Sequence, residues 1–177
     1  MNPLISMNRN FFQMCWVVPD LKAAMTHWTR TAGVGPFFEF DGIPFKDAIY
    51  RGKPDDLLGC TAAIAQAGDV QIELVAQEDD RMTIFREVVP MGKTGFHHAA
   101  LYCTDYETQR DAYIKGGSPL AFEGDMMGSR TSWLDTVPTL GFMVELVEAN
   151  PVADMVFGKF RKAAENWDGK DPIRTFG

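Results

Sequence analysis

The chain repeats itself, and an internal repeat limits a fold more tightly than any single motif, because both copies must satisfy one geometry. Near the start it reads Gln13-Met14-Cys15-Trp16-Val17-Val18-Pro19-Asp20; later it reads His98-Ala99-Ala100-Leu101-Tyr102-Cys103-Thr104-Asp105. In each, a polar residue opens an apolar, strand-like run, and seven positions on an Asp stands where it can cap a helix. Leu21, Ala24, Met25 and Trp28 then recur at helical spacing, Ala32 continues the stripe and Gly33 stops it. After Asp105 the stripe is shorter, Ala112, Tyr113 and Ile114, and Gly116-Gly117 breaks it. Both halves close on the same strand: Gln71-Ile72-Glu73-Leu74-Val75 and Met143-Val144-Glu145-Leu146-Val147.

Further β-like pieces fill each half, Phe37–Phe40, Ala48–Arg51 and Thr61–Gln66 in the first, Pro119–Glu123 and Thr131–Asp135 in the second. The pattern predicts an α+β chain of two modules, each a strand, a helix and then several strands, over about 11–77 and 95–148. They form one unit over 11–148, since no Gly/Ser linker or low-complexity tract divides them. The connector at 79–93 holds a short helix at Arg81–Val88, before Pro90. A terminal helix spans 151–167, with Val152, Met155, Val156, Phe160 and Ala163 on one face.

Composition narrows the function classes. Seventeen Lys and Arg against 24 Asp and Glu leave a charge of −7. That is the wrong sign for gripping a phosphate backbone, so no nucleic-acid partner is expected. No apolar run is long enough to span a bilayer as a helix. No basic, apolar and small-residue leader precedes Asn8, and three cysteines (Cys15, Cys60, Cys103) without metal-type spacing suit a reduced cytoplasm. A homodimer is expected, because the apolar face of the terminal helix and open sheet edges need cover. The glycines, including Gly33-Val34-Gly35, are not set out as a nucleotide-phosphate loop.

The chemistry lies where the repeated polar residues fall. Alternate strand residues share a face. Glu73 therefore sits with Gln71 and Val75, Glu145 with Met143 and Val147, Gln13 with Phe11, Cys15 and Val17, and His98 with Phe96, Ala100 and Tyr102. A lone carboxylate on an apolar face faces a large desolvation cost unless it is paired or bound to a metal. Four such groups, placed equivalently in two repeats, point to a metal site.

These residues carry a resemblance. With "VVPDL" at Val17–Leu21, "GFHHAAL" at Gly95–Leu101 and the two "ELV" strands, the chain resembles the glyoxalase / bleomycin-resistance / extradiol-dioxygenase (vicinal oxygen chelate) superfamily from about Phe11 to Glu148. The resemblance implies two paired βαβββ modules forming an open barrel around a divalent metal, paired within a chain or swapped between chains. It implies ligands from the first and last strand of each module: Gln13, Glu73, His98 and Glu145. That set resembles zinc-type glyoxalase I more than extradiol dioxygenases, many of which have His where this chain has Gln13. One amide, two carboxylates and one imidazole make an oxygen-rich site for Zn2+, Ni2+, Co2+, Mn2+ or Mg2+, with Fe2+ disfavoured.

The function so implied is a lyase, isomerase or epimerase acting through an enolate, with Glu145, or else Glu73, moving the proton. The alternatives are a metal-free binding protein of the drug-resistance type and an extradiol-type dioxygenase. Neutral neighbours such as Val17, Gln77 and Thr94 offer no basic cluster for glutathione. Phe11, Cys15, Phe96, Tyr102 and Met143, with Val75 and Val147, favour an apolar or aromatic carbonyl substrate. Arg130 either holds a substrate anion or makes an outward ion pair, and Trp133 and Tyr50 either line the cavity or fill the core. Cys15 has no basic partner to make a thiolate. His97 is expected to point away from the site, and His27 to lie at the surface.

Overall fold

A computed structural model describes residues 11–42, 45–55 and 59–176. The segment before Asn8, read above for a leader, lies outside them. The elements run β1 (Phe11–Val17), α1 (Leu21–Ala32), β2 (Phe37–Phe40), β3 (Phe45–Tyr50), β4 (Lys53–Pro54), β5 (Cys60–Ala67), β6 (Val70–Gln77) and α2 (Ile84–Val88). The second half follows as β7 (Gly95–Cys103), α3 (Tyr106–Lys115), β8 (Leu120–Met126), β9 (Ser129–Leu134), α4 (Val137–Leu140), β10 (Met143–Glu148), α5 (Pro151–Ala164) and β11 (Ile173–Thr175).

Among the described residues, eleven strands join one mixed sheet in the order β11-β2-β5-β6-β1-β7-β10-β9-β8-β3-β4. The repeat is visible in it. Each module's first strand lies parallel to its last, β1 on β6 and β7 on β10, because a helix carries the chain back across the sheet. The modules join within the chain, β1 antiparallel to β7. Hydrogen bonds do not close the sheet, so it is an open barrel. One strand departs from the simple repeat: β3, from the first half, pairs antiparallel with β8 of the second.

Three apolar clusters sort the two faces. On the outside, α1 packs Leu21 and Met25 against Ile72 and Leu74, and α3 packs Tyr106 against Leu101, Val144 and Leu146. The concave side holds Cys15, Val17, Val75, Phe122, Trp133 and Met143, roofed by Phe45 and Ala48 of β3 and by Ile84 and Phe85 of α2. Asp20 caps α1, accepting from the Ala23 amide at 2.8 Å. Asp105 makes no such cap; its carboxylate takes the Gln109 amide at 2.9 Å instead.

Asn150 caps α5 through the Val152 and Ala153 amides, and the helix ends at Ala164, three residues short of the predicted end. Phe160 is buried among the rings of Phe38, Phe40 and Phe176. The apolar face expected to need a partner subunit is therefore partly covered by the chain's own β2 and tail, though Val152 and Met155 stay exposed. Among the described residues no helix is long and apolar enough to cross a membrane.

Candidate metal centre

Register builds the site. Residues paired across neighbouring strands lie level with one another and point the same way. One row across the junction reads Gln71, Gln13, Ala100, Glu145, Trp133; the next reads Ile64, Glu73, Cys15, His98, Met143. The rows are related by the pseudo-two-fold of the repeat. Gln13 and Glu145 flank Ala100 in one, and Glu73 and His98 flank Cys15 in the other. Ala100 and Cys15, both small, are the residues set between the four polar ones on the concave face.

Three of the four predicted groups meet. His98 Nε2 lies 2.9 Å from Glu145 Oε2 and 3.1 Å from Glu73 Oε2. His98 is wholly buried and Glu145 is 4% exposed, while Glu73 keeps some solvent contact. Among the described residues, His98 Nε2 and Glu145 Oε2 are buried polar atoms without a hydrogen-bond partner, meeting instead as charge contacts. Native interiors rarely leave such atoms unanswered. Donor atoms about 3 Å apart subtend roughly 90° at an ion bonded at about 2.0–2.2 Å, the relation of adjacent ligands. The donor set therefore fits a divalent cation. Gln13 is buried beside them, its amide donating to Gln71 Oε1 at 3.1 Å.

Burial sets the proton affinities. It pushes Glu145 above the ordinary carboxylate range, with His98 pulling the other way. It pushes the Cys15 thiol up as well, and neighbouring Glu73 adds to this. For His98 burial opposes charge, yet Cys15 and Glu145 beside it hold the pKa well above the usual imidazole value. Because Cys15 stays a thiol, the Glu145 carboxylate is the charge responsible.

Two placements correct the sequence reading, and both come from one β-bulge. Cys15 pairs with His98 but Trp16 pairs with Phe96, so His97 is an extra residue in β7. The extra residue turns His97 inward with His98 and sends Phe96 outward. Phe96 stacks on Trp16 and Phe142 on the outer side and does not line the site. His97 is fully buried against Phe85, its Nδ1 2.8 Å from His98 Nδ1 and its Nε2 3.0 Å from the Ile84 carbonyl. Burial, then the charge of His98, lowers its pKa to about 3, against the Ile84 hydrogen bond. No strand alternation signals this; the adjacent His-His pair in an apolar run was the only cue.

The other named residues divide. Cys15, Met143 and Trp133 line the concave cluster, and the Trp133 ring lies 5.5 Å from that of His98. Tyr102 sits farther along, donating to Asp154 at 2.8 Å and packing on Phe12 and Phe157 of α5. Phe11 is exposed. Arg130 takes the outward role, clasping Glu148 at 2.6 and 2.8 Å, Glu107 at 2.8 Å and the Tyr106 ring. Tyr50 binds Glu87 over the roof. His27 lies at the surface of α1.

The same architecture recurs in solved structures. Methylmalonyl-CoA epimerase from Mycobacterium tuberculosis matches with a TM-score of 0.57 at 20% identity, over 81% of this chain and 90% of that one. Methylmalonyl-CoA epimerase in complex with methylmalonyl-CoA and NH4+ matches at 0.53 and 20%, over 83% and 98%. A hypothetical protein, BH1468, from Bacillus halodurans C-125 matches at 0.58 and 15%, over 81% and 96%. No curated protein matches in sequence. A family model matches residues 12–133, which hold the first module from Phe12 on and the second as far as Trp133. With the repeat, the paired modules and that match together, the chain belongs to the glyoxalase / bleomycin resistance protein / dioxygenase superfamily.

Proposed function

We propose that the protein is a divalent-metal-dependent enzyme of this superfamily, an isomerase, epimerase or lyase that moves a proton on the carbon beside a carbonyl. The observation that carries this reading is the convergence of the Glu73 and Glu145 carboxylates on the buried His98 Nε2, at 3.1 and 2.9 Å. The named activity of two of the structural neighbours, epimerisation, belongs to the same class, since inverting a carbon centre requires removing and returning its substituent. Glu73, His98 and Glu145, with Gln13 beside them, would hold the ion; Zn2+, Ni2+, Co2+, Mn2+ and Mg2+ suit the donors better than Fe2+. The ion would polarise a substrate oxygen and stabilise the negative charge that grows there.

The chain supplies the rest. Glu145 is the proton carrier, because burial raises its proton affinity. Glu73 is the second choice. Gln13 has no useful proton affinity and acts as ligand or orienter. Phe85, Phe122 and Trp133 exclude water and favour an apolar or aromatic carbonyl compound.

Elemental analysis of protein purified without a metal-affinity tag tests the reading. About one divalent ion per chain, lost in Glu73→Ala and Glu145→Ala, supports it; a metal-free wild-type chain that takes up none of the five ions removes it and favours the binding-protein alternative. Glu145→Gln should keep most of the metal yet lose solvent-deuterium exchange across a panel of acyl thioesters and aromatic 2-oxo acids. Faster loss in Glu73→Gln would reverse the two roles.

A further inference from the structure

We infer that His97 is a positioning residue, which holds a proton on His98 Nδ1 so that Nε2 is the nitrogen left to a cation between the two carboxylates. The inference rests on the metal-centre reading above and adds to it a residue outside the ligand set.

The argument is one of donors and acceptors. The Ile84 carbonyl can only accept, so the 3.0 Å contact from His97 Nε2 places a proton on that nitrogen. His97 is wholly buried against the Phe85 ring, where a doubly protonated imidazole would be an unpaired charge. Its Nδ1 is then a lone pair. At 2.8 Å from His98 Nδ1 that lone pair must receive a proton, so His98 carries its hydrogen on Nδ1. The Nδ1 proton is therefore the one His98 keeps, and Nε2, the atom that Glu73 and Glu145 approach, is the nitrogen that gives up its proton to a cation.

The relay thus runs from the carbonyl of α2, through His97, to the ligand atom. Without it the opposite tautomer would keep a hydrogen on Nε2, between the two carboxylates, where a cation would bind. A hydrogen bond to the far nitrogen also fixes the ring plane and raises ligand basicity. The bulge between Cys15 and Trp16 makes this arrangement available, since only an extra residue lets two consecutive side chains of β7 enter one face.

The relay has a competitor. Cys15, His97 and His98 also bring ligand atoms within 4.8 Å of one another. An ion held there would use His97 Nδ1 directly and abolish the relay.

Three measurements decide. Nitrogen-15 spectra of the zinc-loaded wild type should show His97 as the Nε2–H tautomer and His98 with its proton on Nδ1; His98 with its proton on Nε2 overturns the inference. Cobalt affinity, measured by competition with a chromophoric chelator, should fall about 10- to 100-fold in His97→Leu. His97→Asn should stay within a few-fold of wild type, because its Oδ1 stands where the accepting Nδ1 stood. Equal loss in both variants, each shown folded by circular dichroism, overturns it. The cobalt spectrum should lack a thiolate charge-transfer band; such a band, lost in Cys15→Ser, would place the ion on Cys15 and overturn the relay. A wild type that binds no cobalt, zinc or nickel removes the metal reading together with this inference, whereas unchanged affinity in His97→Leu removes this inference alone.

Discussion

Ala100→Leu is the sharpest test of the geometry. Ala100 is wholly buried and lies level with Gln13 on one side and Glu145 on the other. Neighbouring strands stand about 4.8 Å apart, so these two backbones are about 9.6 Å apart with a single methyl group between them. Leucine puts three more carbons into that space. Overpacking of this kind costs about 1–3 kcal/mol, which in a chain of this size lowers Tm by roughly 2–12 °C. The loss of metal affinity should be much larger. Displacing a ligand by more than about 0.5 Å spoils a preorganised site, and a loss of at least ~100-fold is expected, about 2.7 kcal/mol. Ala63→Leu supplies the control, because Ala63 is equally buried but belongs to the outer cluster beneath α1. Isothermal titration with Ni2+ or Zn2+, beside thermal melts of the metal-free proteins, separates the two effects. If Ala100→Leu binds as tightly as wild type, or Ala63→Leu loses as much, the four polar groups do not share the space above Ala100.

Phe160→Ala should cost about 3–5 kcal/mol, lowering the melting temperature by roughly 6–20 °C, because the ring is buried among Phe38, Phe40 and Phe176. Glu148→Gln should cost about 1 kcal/mol or less at pH 7, since the Arg130 pair is partly exposed. Arg130 lowers the Glu148 pKa, so the stability it adds is full above the ordinary Glu value near ~4.3 and is lost as pH falls through the lowered one. Urea melts of Glu148→Gln and wild type should therefore differ at pH 7 and draw together as the pH falls below ~4.3. A Cβ on Gly35 would stand 2.6 Å from the Trp167 ring. Gly35→Ala should then displace that ring, cost about 1–3 kcal/mol in urea denaturation and alter the near-ultraviolet circular dichroism.

The repeat made much of this legible. Strand alternation set each of Gln13, Glu73, His98 and Glu145 among apolar residues of its own strand, because a period of two survives wherever a strand is regular; the superfamily resemblance is what brought the four to one site. Alternation failed at β7, where one inserted residue reverses the parity of everything before it; Phe96 and His97 exchanged faces for that reason. Asp105 looked like Asp20 in its helix-start position, yet Gln109 four residues on competes for its carboxylate. The roof's elements were foreseen, a β-piece at Ala48–Arg51 and a short helix at Arg81–Val88, but not their place over the site. Phe45, Ala48 and Phe85 lie in segments with no counterpart in the second half, and long-range pairing such as β3 on β8 leaves no local pattern.

That pairing has a consequence for how the chain is made. During synthesis the first module can form β1, α1 and its last strands as soon as Gln77 has emerged. Its β3 cannot settle then, because its partner β8 ends at Met126, about 75 residues beyond Tyr50. At ~5–20 residues per second the ribosome holds that strand without a partner for roughly 4–15 s. Phe45, which ends up under Trp133 and Phe122, stays exposed to other chains for the same interval. The nascent protein is most open to chaperones, and to mispairing with its own copies, in the span when half of it is already folded.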